Sequence, residues 1–130
     1  MDKKQKSQMY EEFLRSEGYL PQIDADGDVV FKAEGKVYLI IIDERDEEFF
    51  RIAFPNFWPI ESPQERAKVT QAALDATAST KVAKVFPVQD NVWATIELFC
   101  LPPENFKLVF RRSFSALQSA VTTFVGKMRA

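Results

Sequence analysis

The last quarter of the chain constrains the fold most. Phe106, Phe110, Phe114, Leu117, Val121, Phe124 and Met128 recur at steps of three or four residues. That is the helical period, and it gathers seven large apolar side chains onto one stripe. Burying each contributes about 1.5–3 kcal/mol, so the rest of the chain must supply an apolar platform to receive the stripe. A helix is therefore expected from the residues after Pro102-Pro103-Glu104-Asn105 to about Met128, anchoring the core.

The platform is legible upstream. A first helix is expected over Lys4–Glu17, with Met9, Tyr10, Phe13 and Leu14 on one stripe and Gly18 where a left-handed stop belongs. Lys3, Lys4 and Lys6 precede the stripe and read as a frayed, solvated end. Strand signals follow at short spacing. Tyr19–Ile23 is weak, Asp24–Asp28 is a turn with the Asp-Gly hairpin dipeptide, and Val29–Ala33 is a second strand. Glu34-Gly35 turns the chain into a third strand over Lys36–Asp43. This strand is apolar on both faces, with Val37, Leu39 and Ile41 on one and Tyr38, Ile40 and Ile42 on the other. It is expected to be central and covered on both sides, by helix, partner chain or loop. Glu48–Phe54 is a fourth strand with Phe50, Ile52 and Phe54 on one side.

In the connector Phe54–Ile60, Pro55 and Pro59 exclude a regular central strand. Phe57, Trp58 and Ile60 are more apolar than an idle loop requires. Two readings stand: a lid folded over the core, or an exposed patch that marks a partner site. Ser62-Pro63-Gln64-Glu65 then reads as a capping box with proline at the first helical position, opening a helix to about Ser79. Its apolar residues are mostly small, Ala72 and Ala76 among them, which allows close approach of another element. Lys81–Gln89 is a fifth strand, placed at an edge by Pro87, and Val92–Leu101 is a sixth. On the sixth, Val92, Ala94, Ile96, Leu98 and Cys100 line one face, while Trp93, Thr95, Glu97, Phe99 and Leu101 line the other. The fold class that follows is α+β: one domain over residues 1–130, an antiparallel sheet with three helices, in the order α, three or four β, α, β, β, α.

The composition narrows the chemistry. The chain has no histidine, which removes the commonest general base and the commonest zinc ligand together. Its four glycines form no phosphate-cradling loop. Asp24, Asp26 and Asp28 start like a calcium loop, but glycine falls at the fourth position, and a hairpin turn is the better reading. Glu97 is expected on the outer, solvent-facing side of its strand. Cys100 is the single cysteine; it excludes an intrachain disulfide and reads as a small core residue. No enzymatic activity, metal or cofactor is expected. Met1–Glu65 holds 8 basic and 15 acidic residues, and Arg66–Ala130 holds 9 basic and 4 acidic. This spread argues against a nucleic-acid partner, which needs a concentrated basic face, and fits association between complementary faces. No apolar run reaches the roughly 18 residues that span a bilayer. No hydrophobic signal core follows the first lysines, so a cytoplasmic location is expected.

The element order, with Asp26-Gly27-Asp28-Val29-Val30-Phe31-Lys32 followed by Gly35-Lys36-Val37-Tyr38-Leu39-Ile40-Ile41-Ile42-Asp43, resembles the YbjN-like family over essentially the whole chain. Members are described as bacterial sensory transduction regulators and share the fold of the type III secretion chaperones. The chain departs from that pattern by an extra or bent strand over Tyr19–Ile23. The resemblance implies a small acidic cytoplasmic protein without enzymatic activity. It also implies a homodimer paired through the middle helix or the later strands, and protein clients bound on apolar grooves and sheet edges. No catalytic residue comes with it. The partner surface it suggests is Phe57, Trp58 and Ile60 in the connector with Ala72 and Ala76 on the middle helix. The expected function is a protein-interaction module, chaperone-like or regulatory. The alternative is a small-ligand sensor with an apolar pocket lined by Phe50, Ile52 and Phe114.

Overall fold

The computed structural model describes residues 1–130. The C-terminal stripe forms one unbroken helix, Phe106–Arg129, entered through a single 3-10 turn over Pro103–Asn105. All seven stripe residues are buried. In chain order the elements are α1 Lys3–Ser16, β1 Gln22–Ile23, β2 Val29–Ala33, β3 Lys36–Ile40, β4 Phe49–Phe54, α2 Pro63–Ser79, β5 Ala83–Val88, β6 Asn91–Phe99 and α3, the C-terminal helix. The six strands form one antiparallel sheet in the order β1-β2-β3-β4-β6-β5. The expected α+β class and element order hold, and Pro87 lies on the edge strand β5.

The platform is built by alternation. Phe31 of β2, Tyr38 and Ile40 of β3, Phe50 and Ile52 of β4 and Ala94 and Ile96 of β6 are all buried under α3 and α1. Phe110 lies 5.2 Å from Phe13, 5.7 Å from Phe114 and 6.3 Å from Phe31, ring centre to ring centre. Phe106 meets Tyr10 edge-on at 4.7 Å and Phe50 at 5.5 Å. Edge-on and tilted pairs at these separations add to the stabilisation from area burial alone. The small-residue side of α2 is consumed within the chain: Val69, Ala72, Ala73 and Ala76 are buried where α2 packs on β5 and α3.

The helix ends show which local signals were complete. Gly18 takes a left-handed φ of 95° beyond α1, and the amides of Gly18 and Tyr19 donate to the Arg15 and Leu14 carbonyls. This is a Schellman stop. At the other end, Asp2 and Gln5 form a reciprocal capping box that the sequence reading did not identify. On α2 only half of the expected box forms. The Ser62 hydroxyl accepts the Glu65 amide at 3.0 Å, but the Glu65 carboxylate turns instead to the Trp58 indole N–H, also at 3.0 Å.

Three expectations are corrected. The lysines before the α1 stripe are not a frayed end. Lys6 is 2% exposed and its Nζ donates to the carbonyls of Glu47 at 2.8 Å and Phe49 at 3.4 Å. Lys3 lies 3.7 Å from Asp28 and 3.9 Å from Glu44. An acidic loop and outward-pointing carbonyls gave these cations partners that lie too far along the chain to be seen locally. The weak first strand shrinks to the two-residue β1, set against Val29 and Val30. The third strand, finally, is not covered on both sides by helices or loops of this chain. Its Tyr38 and Ile40 are buried, but Val37 is 41% exposed and Leu39 and Ile41 are half-exposed. All three helices lie on the other side of the sheet.

Candidate partner-binding face

The Phe57 amide donates to the Val92 carbonyl, the Ile60 amide to the Asp90 carbonyl and the Trp58 amide to the Asn91 side chain at 3.1 Å. Those three bonds stitch the connector to the β5–β6 turn. Phe57 stacks on Phe54 at 5.0 Å and meets Phe124 edge-on at 5.5 Å, while Trp58 meets Phe124 at 5.7 Å. The connector is therefore a lid on the C-terminal half of α3, with Phe57 and Trp58 half-buried and Ile60 buried. Of the residues suggested as partner surface, Ile60, Ala72 and Ala76 are 8%, 3% and 0% exposed and have no area to offer from a single chain. The cause is that the same small size that invites a partner helix also lets α2 close onto its own sheet and α3.

One expected outcome follows for the lid. Trp58→Ala removes a ring packed on Phe124 and orphans the Glu65 acceptor. The cost should be about 2 kcal/mol in a urea melt, below the roughly 3–5 kcal/mol of a fully buried aromatic because part of the ring is already in water. An unchanged midpoint would show that the lid carries no stability.

The pocket residues Phe50, Ile52 and Phe114 are likewise core side chains, 1%, 0% and 6% exposed. Phe50 packs on Tyr10 and Phe106, and Phe114 on Phe31 and Tyr38. An open depression of about 630 Å³ lies elsewhere, between α1 and the start of α3, and its lining is mostly polar, including Gln5, Gln8, Glu12 and Lys107. Asp24, Asp26 and Asp28 do cluster. Asp24 accepts the amides of Asp26 and Asp28, and Asp28 accepts the Ile42 amide at 3.0 Å, so these carboxylates hold the hairpin together. Cys100 is buried, as expected of a core residue, and burial raises its thiol pKa above the usual cysteine range.

What remains open is the outer face of the sheet. Register places Val30, Leu39, Ala53, Thr95 and Lys84 on one rung across five strands. The neighbouring rung carries Arg51 opposite Glu97, and the next carries Phe49 opposite Phe99. Outward positions on a one-sided antiparallel sheet are normally polar. Here Val37, Leu39, Ile41, Phe49 and Phe99 are all apolar, and Phe99 is 71% exposed. Ala53 and Thr95, 0% and 2% exposed, form a small-residue floor at the centre.

The polar groups of the face are unevenly matched. Glu97 accepts from Thr95 Oγ1 at 2.7 Å and from Lys84 Nζ at 2.9 Å. Burial alone would raise its carboxyl, but these donors, with Arg51 nearby, outweigh it and hold the pKa below the usual carboxylate value. Glu97 thus sits on the outer face as the sequence reading expected, and it is fully engaged. Arg51 is not. Its guanidinium lies 5.3 Å over the Phe49 ring, and its Nε is buried with no acceptor, the one buried side-chain polar atom in the chain without a hydrogen bond. Buried donors are nearly always paired, so this Nε is a donor for which the chain itself supplies no acceptor. The sequence signal for this face was present in the doubly apolar third strand; the expected cover on its outer side is what the chain does not supply.

Searches of the chain against protein-family models, curated proteins and solved structures find no match. No helix is long and apolar enough to cross a membrane.

Proposed function

We propose that this protein is a non-enzymatic protein-interaction module, chaperone-like or regulatory, that binds a protein partner through the uncovered face of its sheet. The observation that carries this reading is the outer side of β3. Val37 is exposed and Leu39 and, just past the strand, Ile41 are partly exposed, a row of aliphatic side chains near the centre of a sheet whose other side is packed under the helices. Contiguous apolar surface of this kind is costly to keep in water and marks interaction sites in soluble proteins. The chaperone-like or regulatory character rests on the family resemblance, and the face supplies the means of binding.

A photo-crosslinking residue at Leu39, expressed in the native cell, tests the proposal. Leu74 on the outer side of α2 is 61% exposed and serves as the control position. The expected result is a discrete protein adduct from position 39 and none from position 74. Absence of any adduct from position 39, or the same ladder from both, would remove the face as a binding surface.

A further inference from the structure

We infer that the uncovered sheet face seats an acidic amphipathic helix of another protein, which lays apolar side chains on Leu39 and Val37 and brings carboxylates to Arg51 and Lys32. The inference rests on the interaction reading above and names the chemistry of its partner.

Three observations carry it. The first is charge. The cations on this face are Lys32, Arg51 and Lys84, and the one acid within the ladder, Glu97, is already bound to Lys84 and Thr95. Three cations thus share one acid: Glu97 lies opposite Arg51 as well as bound to Lys84, Lys32 has no acid beside it on the ladder, and the buried Nε of Arg51 lacks an acceptor. A second copy docked through this same face would bring the same surplus of cations, so the complementary surface is an acidic one. Arg51 is also pre-positioned: stacking on Phe49 holds its guanidinium before any partner arrives, which reduces the ordering cost of a charge-assisted contact.

The second is backbone chemistry. The strands of the inner ladder already pair on both sides, so a segment docking on the face gains no main-chain partners there. It must satisfy its own amides and carbonyls, and a helix does this by itself. The third is shape. A helix about 10 Å across spans roughly three strands at the usual spacing of about 4.8 Å. The rung Leu39, Ala53, Thr95 crosses three neighbouring strands, β3, β4 and β6, with its smallest residue, Ala53, in the middle and Thr95 beside it. Small residues there let a helix axis come close.

The test uses two labelled synthetic helical peptides with the same leucine stripe, one with glutamate and one with lysine on its polar flanks, titrated into the full chain by fluorescence anisotropy. The acidic peptide should bind at least about tenfold tighter at low salt, with the difference shrinking as ionic strength rises. Arg51→Gln combined with Lys32→Gln should erase most of that preference, while Leu39→Asp should abolish binding of both. All variants are checked for an unchanged urea midpoint. Equal affinity for the two peptides, no binding of either, or a preference that survives the double substitution would overturn the inference. So would light scattering that shows a dimer converted to monomer by Leu39→Asp, because the occupant would then be a second copy. In each of those cases a protein adduct from position 39 would still leave the binding-face reading standing, so the two failures are distinguishable.

Discussion

Replacing Phe110 with alanine is expected to cost about 4 kcal/mol, the size seen when a fully buried aromatic is truncated in a well-packed core. Phe110 is 1% exposed and its ring touches Phe13, Phe114, Tyr19 and Phe31, so the void opens where both outer helices and the sheet converge. Because those neighbours are themselves large and interlocked, the site cannot collapse to fill the space. The loss is a large share of the roughly 5–15 kcal/mol that stabilises a single domain. In urea the midpoint should fall with little change in slope, since the surface exposed on unfolding is nearly the same. Leu108 lies on the same helix but is 81% exposed, and Leu108→Ala should stay within about 0.5 kcal/mol. Equal effects from the two substitutions would refute the packing of α3.

Lys6 gives the second large effect, and its size depends on what replaces it. Lys6→Ala deletes a buried aliphatic stem and orphans the carbonyls of Glu47 and Phe49, for an expected loss of about 3 kcal/mol. Lys6→Met keeps the stem and removes a buried cation along with its bonds, so it should cost less than about 1 kcal/mol. The pH dependence separates the two components. Burial pushes the Lys6 pKa below the ordinary lysine value, while Glu47, Asp46 and Asp43 pull against the shift without reversing it. Between that lowered value and the unfolded value of about 10.4, the unfolded chain holds a proton that the folded chain has released. Stability contributed by this group therefore rises with pH across that window and is flat below it. Tyr10, Tyr19 and Tyr38 are displaced upward by burial and act oppositely near pH 10. The quantity to measure is the wild-type midpoint minus that of Lys6→Met, in which the tyrosines cancel. It should climb as pH approaches 10. A falling difference would mean that the ammonium is more stable inside the fold than outside it.

These two residues also mark how far the chain could be read without its structure. Phe110 belongs to a periodic stripe, and its burial was evident from spacing alone. The inward alternation of Phe50, Ile52 and Phe54 and the edge position of the proline-bearing strand were legible for the same reason. Each follows from the fixed geometry of one helix or one strand. Lys6 was misread because its partners lie some forty residues away, in a loop whose carbonyls carry no sequence signature. The Glu65 side chain was misassigned similarly: the capping motif was correct for Ser62, but a tryptophan brought in by the lid competed for the carboxylate and won.

The candidate site was half visible. The third strand is apolar on both faces in the sequence, and that pattern calls for cover on both. Sequence by itself determined which surfaces of each element avoid water, because side-chain direction is set by local backbone geometry with a period of two or 3.6 residues. Only the tertiary structure decided which of those surfaces the chain covers for itself. Three helices fall on one side of the sheet, α2 closes on β5 and α3, and the lid closes on α3, leaving Val37 exposed, Leu39 and Ile41 partly exposed and the Nε of Arg51 without an acceptor. That outcome depends on connection lengths and on competition among apolar faces for one another, and neither is written in the periodicity of any single segment.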